Sequence, residues 1–265
     1  MYIPKALAEP DSRPFGAAGA NPNGLNDAGS VYVVFGQTSN FNPVFDLTTL
    51  DGSNGFVING LEAEDGLGRS VSEAGDVNGD GIDDFIIGGV TGDILGFPWP
   101  PIGDGQSYVI FGQEGGYSPE FDLSTLNGSN GFAINAIDAG DGLGASVSSA
   151  GDINGDGFDD LIIGAYTADP NGQNEAGESY VIFGHSEGFN PEFDLSNLDG
   201  TNGFVINGLN TESYLGMSVS SAGDVNNDGA DDLILGAFAA SPNGQSMAGT
   251  SYVLFGHPAS VLDLN

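Results

Sequence analysis

An all-β fold built from a repeated four-stranded unit is predicted by three observations. One acidic nonapeptide recurs, as DVNGDGIDD at 76–84, DINGDGFDD at 152–160 and DVNNDGADD at 224–232. The segments around it recur in constant order, at spacings of 76 and then 72 residues. The composition combines 45 glycines and 13 prolines with 39% hydrophobic residues, which suits many short strands joined by tight turns rather than disorder. Four short strands per period, repeated, is the pattern of β-propeller blades. A β-solenoid would show shorter periods with fewer strands in each.

The elements follow in order. RSVSEAGD, ASVSSAGD and MSVSSAGD alternate small or apolar with polar residues and read as a first strand. The acidic loop comes next. DDFIIGG, DDLIIGA and DDLILGA are short Ile/Leu-rich runs ending in Gly, and read as a buried second strand. A polar loop leads to SVYVVFG, QSYVIFG, ESYVIFG and TSYVLFG, ending at Gly36, Gly112, Gly184 and Gly256. A connector containing FDL precedes GFVING, GFAINA and GFVING, which begin at Gly55, Gly131 and Gly203.

The ends do not complete this order. Residues 15–36 match the second half of a unit, and the C-terminal stretch reaches the Asp263-Leu264 of a connector without a fourth GFVING strand. The expected blades are 13–60 (partial), 61–136, 137–208 and 209–265 (partial). A tight ring of about four, an open arc, part of a larger propeller, and a ring completed by association of chains all remain open. The longer first period comes from TGDILGFPWPPIGDGQ, whose Trp99 is the chain's single tryptophan. Its two counterparts, ADPNGQNEAG and ASPNGQSMAG, are ordinary turn chemistry.

The loop's chemistry is specific. Oxygen-bearing side chains stand at positions 1, 3, 5 and 9, with Gly at position 6 where a backbone turns sharply. A short chain wraps a hard cation in this way, adding the main-chain carbonyl of position 7. The expected calcium ligands are Asp76, Asn78, Asp80, Ile82 (carbonyl) and Asp84 in the first loop. The second loop offers Asp152, Asn154, Asp156, Phe158 (carbonyl) and Asp160, and the third Asp224, Asn226, Asp228, Ala230 (carbonyl) and Asp232. The loops are not EF-hands, because position 12 is Ile87, Ile163 or Leu235 rather than a bidentate Glu, and the flanks are strands. Clustered Asp, Asn and Gly also make plain turns, but a plain turn needs no such register of oxygens.

Charge and composition exclude other classes. Asp and Glu number 37 against 3 Lys and Arg (Lys5, Arg13 and Arg69), for a net charge of −34. Such a chain repels phosphate backbones and anionic lipid, so nucleic acid is not an expected partner. Three bound Ca2+ ions would offset six of those charges. No cysteine is present, so neither disulfides nor thiol chemistry enter. No stretch approaches the roughly 18 apolar residues of a membrane span, and MYIPKALAEPDSRP lacks the apolar core of a signal peptide. Asn127-Gly128-Ser129 is a lone glycosylation sequon.

No catalytic set stands out. His185 and His257 both follow Phe-Gly, where Gln37 and Gln113 stand in other units, so they are register positions of the repeat. The recurring aromatics Phe41, Tyr117 and Phe189 read as connector packing rather than sugar platforms.

Phe-Gly at 35–36, 111–112, 183–184 and 255–256, with Gly-Ala at 164–165 and 236–237 and Gly-Gly at 88–89, resembles the FG-GAP repeat of integrin alpha-chain N-terminal β-propellers and their bacterial relatives. The Pro of that family's GAP triplet is replaced here by Val90, Tyr166 or Phe238. The resemblance implies calcium in the hairpin between the first two strands of each blade, and an extracellular or cell-surface setting. The resulting expectation is a calcium-binding, non-catalytic module for cell adhesion or surface recognition, with a protein or glycan ligand. The alternatives are a carbohydrate-binding propeller and an accessory repeat region of a larger secreted protein or enzyme.

Overall fold

The computed structural model describes residues 12–37, 43–90 and 103–257. Lys5, Phe41, Trp99 and Asp263 lie outside the described residues. The described chain is all-β with short 3-10 turns. The strands are β1 (Arg13–Ala17), β2 (Ser30–Val34), β3 (Gly55–Asn59), β4 (Ser70–Gly75), β5 (Asp84–Gly89), β6 (Gln106–Ile110), β7 (Glu120–Phe121) and β8 (Gly131–Asn135). They continue as β9 (Leu143–Gly151), β10 (Asp160–Ala165), β11 (Glu178–Ile182), β12 (Glu192–Phe193), β13 (Gly203–Asn207), β14 (Leu215–Gly223), β15 (Asp232–Ala237) and β16 (Thr250–Leu254).

Four sheets form, ordered β1-β2-β3-β7, β4-β5-β6-β8-β12, β9-β10-β11-β13 and β14-β15-β16. Each is an antiparallel meander, and the acidic loop joins its first two strands in the last three sheets. One feature departs from a simple reading by units. The connector strands β7 and β12 pair in parallel with β3 and β8, on the outer edge of the preceding sheet. Each connector therefore covers an edge that would otherwise present unpaired backbone groups. The Asp of each FDL motif then caps a 3-10 turn, its side chain accepting from the backbone N–H of Thr48, Ser124 or Ser196.

The core lies between consecutive sheets. Within a strand, alternate residues face the preceding and the following blade. Ile86, Val109, Phe132 and Ile134 pack on Leu161, Ile163, Tyr180 and Ile182 of the next sheet. Ile162 and Val181 pack in the same way on Leu233 and Leu235, and Val33 and Phe56 on Phe85, Ile87, Tyr108 and Ile110. The recurring connector aromatics join this packing. Tyr117 stacks on Phe56 with ring centroids 4.1 Å apart, and Phe189 on Phe132 at 4.5 Å.

The inner strands β4, β9 and β14 pack side by side in chain order. Their closeness explains the signature glycines. A Cβ at Gly88 or Gly164 would overlap the carbonyl oxygen of Gly144 or Gly216 on the next inner strand. The Phe-Gly glycines are equally confined, since a Cβ at Gly184 or Gly256 would press on backbone carbonyls of both its own loop and the preceding one. A blade with any side chain at these places would have to stand away from its neighbour.

Candidate metal centres

Each inner strand ends on a glycine with positive φ (Gly75, +73°; Gly151, +68°; Gly223, +67°), and the ladder slips there by a bulge. That bulge turns the chain out of the sheet and into the loop. Two further left-handed positions shape the loop itself. Position 4 is Gly79, Gly155 or Asn227, and position 6 is Gly81, Gly157 or Gly229. Asn is among the few non-glycine residues that adopt this conformation readily.

The side chains at positions 1, 3 and 5 gather inside the turn. Asp76 accepts from the N–H groups of Gly79 (2.8 Å), Asp80 (3.0 Å) and Gly81 (2.8 Å). Asp152 accepts from Asp156 and Gly157, and Asp224 from Asp228 and Gly229. The Asn at position 3 accepts from the position-5 N–H, as in Asn78 with Asp80 (2.8 Å), and donates its amide to the position-5 carboxylate. Position 5 accepts in turn from the N–H of Ile82, Phe158 or Ala230.

Position 9 is placed differently. Asp84, Asp160 and Asp232 are buried, and each spans two backbone N–H groups. Asp84 takes Val77 (3.0 Å) and Gly112 (2.8 Å), Asp160 takes Ile153 and Gly184 (both 2.9 Å), and Asp232 takes Val225 (2.8 Å) and Gly256 (3.0 Å). This carboxylate therefore ties its own loop to the glycine that follows the third strand. Burial pushes the Asp84 carboxyl up to about 7, against the lowering effect of its N–H donors and with the charges of Asp80 and Asp76 adding to the rise. Asp160 is pushed up to about 8 by the same causes, its neighbours being Asp156 and Asp152.

Among the described residues, no three acidic or imidazole side chains converge closely enough to hold an ion by themselves. Any bound cation would rely on the mixed set of carboxylate, amide and carbonyl oxygens. That set is all-oxygen and anionic, which fits a hard cation such as calcium and offers nothing to soft metals. A carboxylate has about four lone-pair sites, so the N–H bonds leave acceptor capacity.

The structure also assigns a role to position 8, which local pattern reading passes over. The Asp159 carboxylate accepts from the Asp76 N–H of the preceding loop (2.9 Å), and its own N–H donates to the Asp76 carbonyl (3.3 Å). Asp231 makes the same clasp on Asp152, at 3.1 and 3.0 Å. Beside each clasp, the backbone N–H of His185 or His257 donates to the carbonyl of Val77 or Ile153, both at 2.9 Å. The histidines thus serve through their main chain, and the His185 ring stacks on Phe189. The available signal was the recurrent Asp-Asp doublet, since a single ligand position needs one carboxylate.

A polar cavity of about 570 Å³ lies apart from the loops, lined by Asp138, Asp141, Asp169, Glu175, Glu178 and Tyr214 among others. Burial pushes Asp141 up to about 6, and the charges of Asp138, Glu178 and Asp169 add to this. The folded state thus binds this proton more tightly than the unfolded state, so stability falls as pH rises from about 4 through 6. Ser213 occupies the same register in the last repeat, so the site does not need a charge. Asp141→Asn is expected to raise the melting temperature by a few degrees at neutral pH and leave it unchanged near pH 4. Scanning calorimetry at both values checks this.

Successive, mainly antiparallel sheets of three to five strands, packed face to face and the last three carrying an acidic loop in the first hairpin, define a β-propeller-type repeat protein. Two of the repeats, residues 143–182 and 215–254, match the profile of the FG-GAP repeat family. The chain is 32% identical to integrin alpha pat-2 of Caenorhabditis elegans over 180 residues, covering 64% of this chain and 13% of that protein. It is 29% identical to integrin alpha-PS2 of Drosophila melanogaster over 199 residues, covering 73% of this chain and 13% of that protein. It is also 34% identical over 114 residues to phosphatidylinositol-glycan-specific phospholipase D of Bos taurus, covering 43% of this chain and 13% of that protein. The chain thus spans a small part of the relatives it matches. No helix among the described residues is long and apolar enough to cross a membrane.

Proposed function

We propose that this chain is a calcium-binding, non-catalytic propeller module for adhesion or surface recognition outside the cell. The observation that carries the reading is the placement of the three loops. Each lies where two strands of one blade meet, and the first two are clasped by Asp159 and Asp231 of the next blade. A cation there would oppose the repulsion of three carboxylates at a joint on which blade order depends. Extracellular modules bind calcium with dissociation constants of roughly 10⁻⁴ to 10⁻³ M, so such loops fill outside cells and stay largely empty in cytosol.

The likeness to proteins named integrin alpha supports adhesion, with a protein or glycan ligand on a cell surface or matrix. The inward packing of Tyr117 and Phe189 argues against the sugar-platform alternative. The phospholipase D relative favours a second reading, in which the repeats accompany an enzyme elsewhere in a longer protein. Binding of the chain to immobilised matrix proteins and to a glycan array, with calcium and with chelator, tests the proposal. Saturable, calcium-dependent capture by a surface ligand is expected. Absence of capture on both supports, by protein shown to be folded, would count against it.

A further inference from the structure

The interface repeated between blades is displayed, unoccupied, on both outer sheets. On the last sheet, Ile234 is 39% and Val253 50% exposed, whereas their register equivalents Ile86, Ile162, Val109 and Val181 are each 0% exposed beneath a following blade. The backbone tells the same story. A Cβ at Gly75 or Gly151 would strike the clasping Asp159 or Asp231, but at Gly223 it would meet nothing. At Gly236 it would meet Ser218 of its own sheet, not the carbonyl of a next inner strand that confines Gly88 and Gly164.

The complementary half stands on the first sheet. Phe15 is 53% exposed at the register of Ile87 and Ile163, both 0% exposed. Tyr32 and Val34 are half-buried, where Tyr180 and Ile182 are buried against the preceding blade. One chain therefore carries both sides of an interface whose geometry it already uses three times internally.

We propose that copies of this chain associate head to tail, the outward face of the first sheet (Phe15, Tyr32, Val34) docking on the outward face of the last (Ile234, Val253). Such a contact is heterologous, so it gives a ring if the rotation closes and a filament if it does not. The net charge of −34 opposes approach, so association strengthens with salt as the repulsion is screened.

Sedimentation velocity of the full chain in calcium, at ionic strengths of about 0.15 and about 1 M, tests this. Species heavier than the 26.9 kDa chain are expected, rising with concentration and salt. Phe15→Asp and Val253→Asp should each abolish them. An equimolar mixture of the two should form a dimer and nothing larger, because each variant keeps one intact face and only one contact can form. Tyr32→Asp and Ile234→Asp are the replacement pair if either first variant loses its far-UV circular dichroism. A wild type that stays at the mass of one chain throughout overturns the proposal. So do single variants that associate as the wild type does, or a mixture that stays monomeric.

Discussion

Moving the protein from millimolar calcium into excess chelator is expected to lower its melting temperature by about 10 °C. At tenfold excess over its dissociation constant, each site adds about 1.4 kcal/mol to the folded state. Three such sites contribute about 4 kcal/mol, a large fraction of the 5–15 kcal/mol typical of a domain. At about 2–4 °C per kcal/mol for a chain of this size, the shift is about 10 °C. The same scan in magnesium should recover little of it, because magnesium demands a near-octahedral site and holds its water. A thermal melt that is the same in calcium and in chelator would refute structural calcium.

Asp160→Ala is expected to be the most damaging single substitution in the loops. It strips the acceptor from two buried donors, Ile153 N–H and Gly184 N–H. Each unsatisfied buried donor costs about 1–3 kcal/mol, so about 4 kcal/mol is lost. This penalty is independent of metal, and most of it should persist in chelator. Asp194→Ala, which removes only the exposed cap of a 3-10 turn, should cost much less and serves as control. Denaturant titration of both variants with and without calcium separates the contributions. Equal losses for Asp160→Ala and Asp194→Ala would show that the position-9 carboxylate is not the tie described here.

Much of this architecture was legible in the sequence because blade strands are short, local and repeated. Alternation in ASVSSAGD and the unbroken apolar run in DDLIIGA declare an inner strand and a buried one. The loop residues at positions 1, 3 and 5 do fold onto one another, since bonds two to five residues apart are encoded locally.

What escaped the sequence lies between segments distant in the chain. Asp159 reaches back 83 residues to Asp76, and no local period marks that partnership. The parallel strand β7 is two residues long and takes its conformation from the edge it covers, not from its own propensity. The signature glycines were recognisable as a pattern, but their reason, a neighbouring inner strand's carbonyl in contact, appears only in three dimensions. The sequence pattern presents position 9 as one more candidate ligand, whereas its role as a backbone tie appears only in the structure.

The most direct measurement is a calorimetric titration of metal-free protein with calcium chloride. Uptake of three equivalents is expected, with one fewer when a loop loses its position-1 and position-5 aspartates, as in Asp224→Ala with Asp228→Ala. Binding of no calcium by folded protein, or undiminished binding by that variant, would contradict the assignment of the ions to these loops.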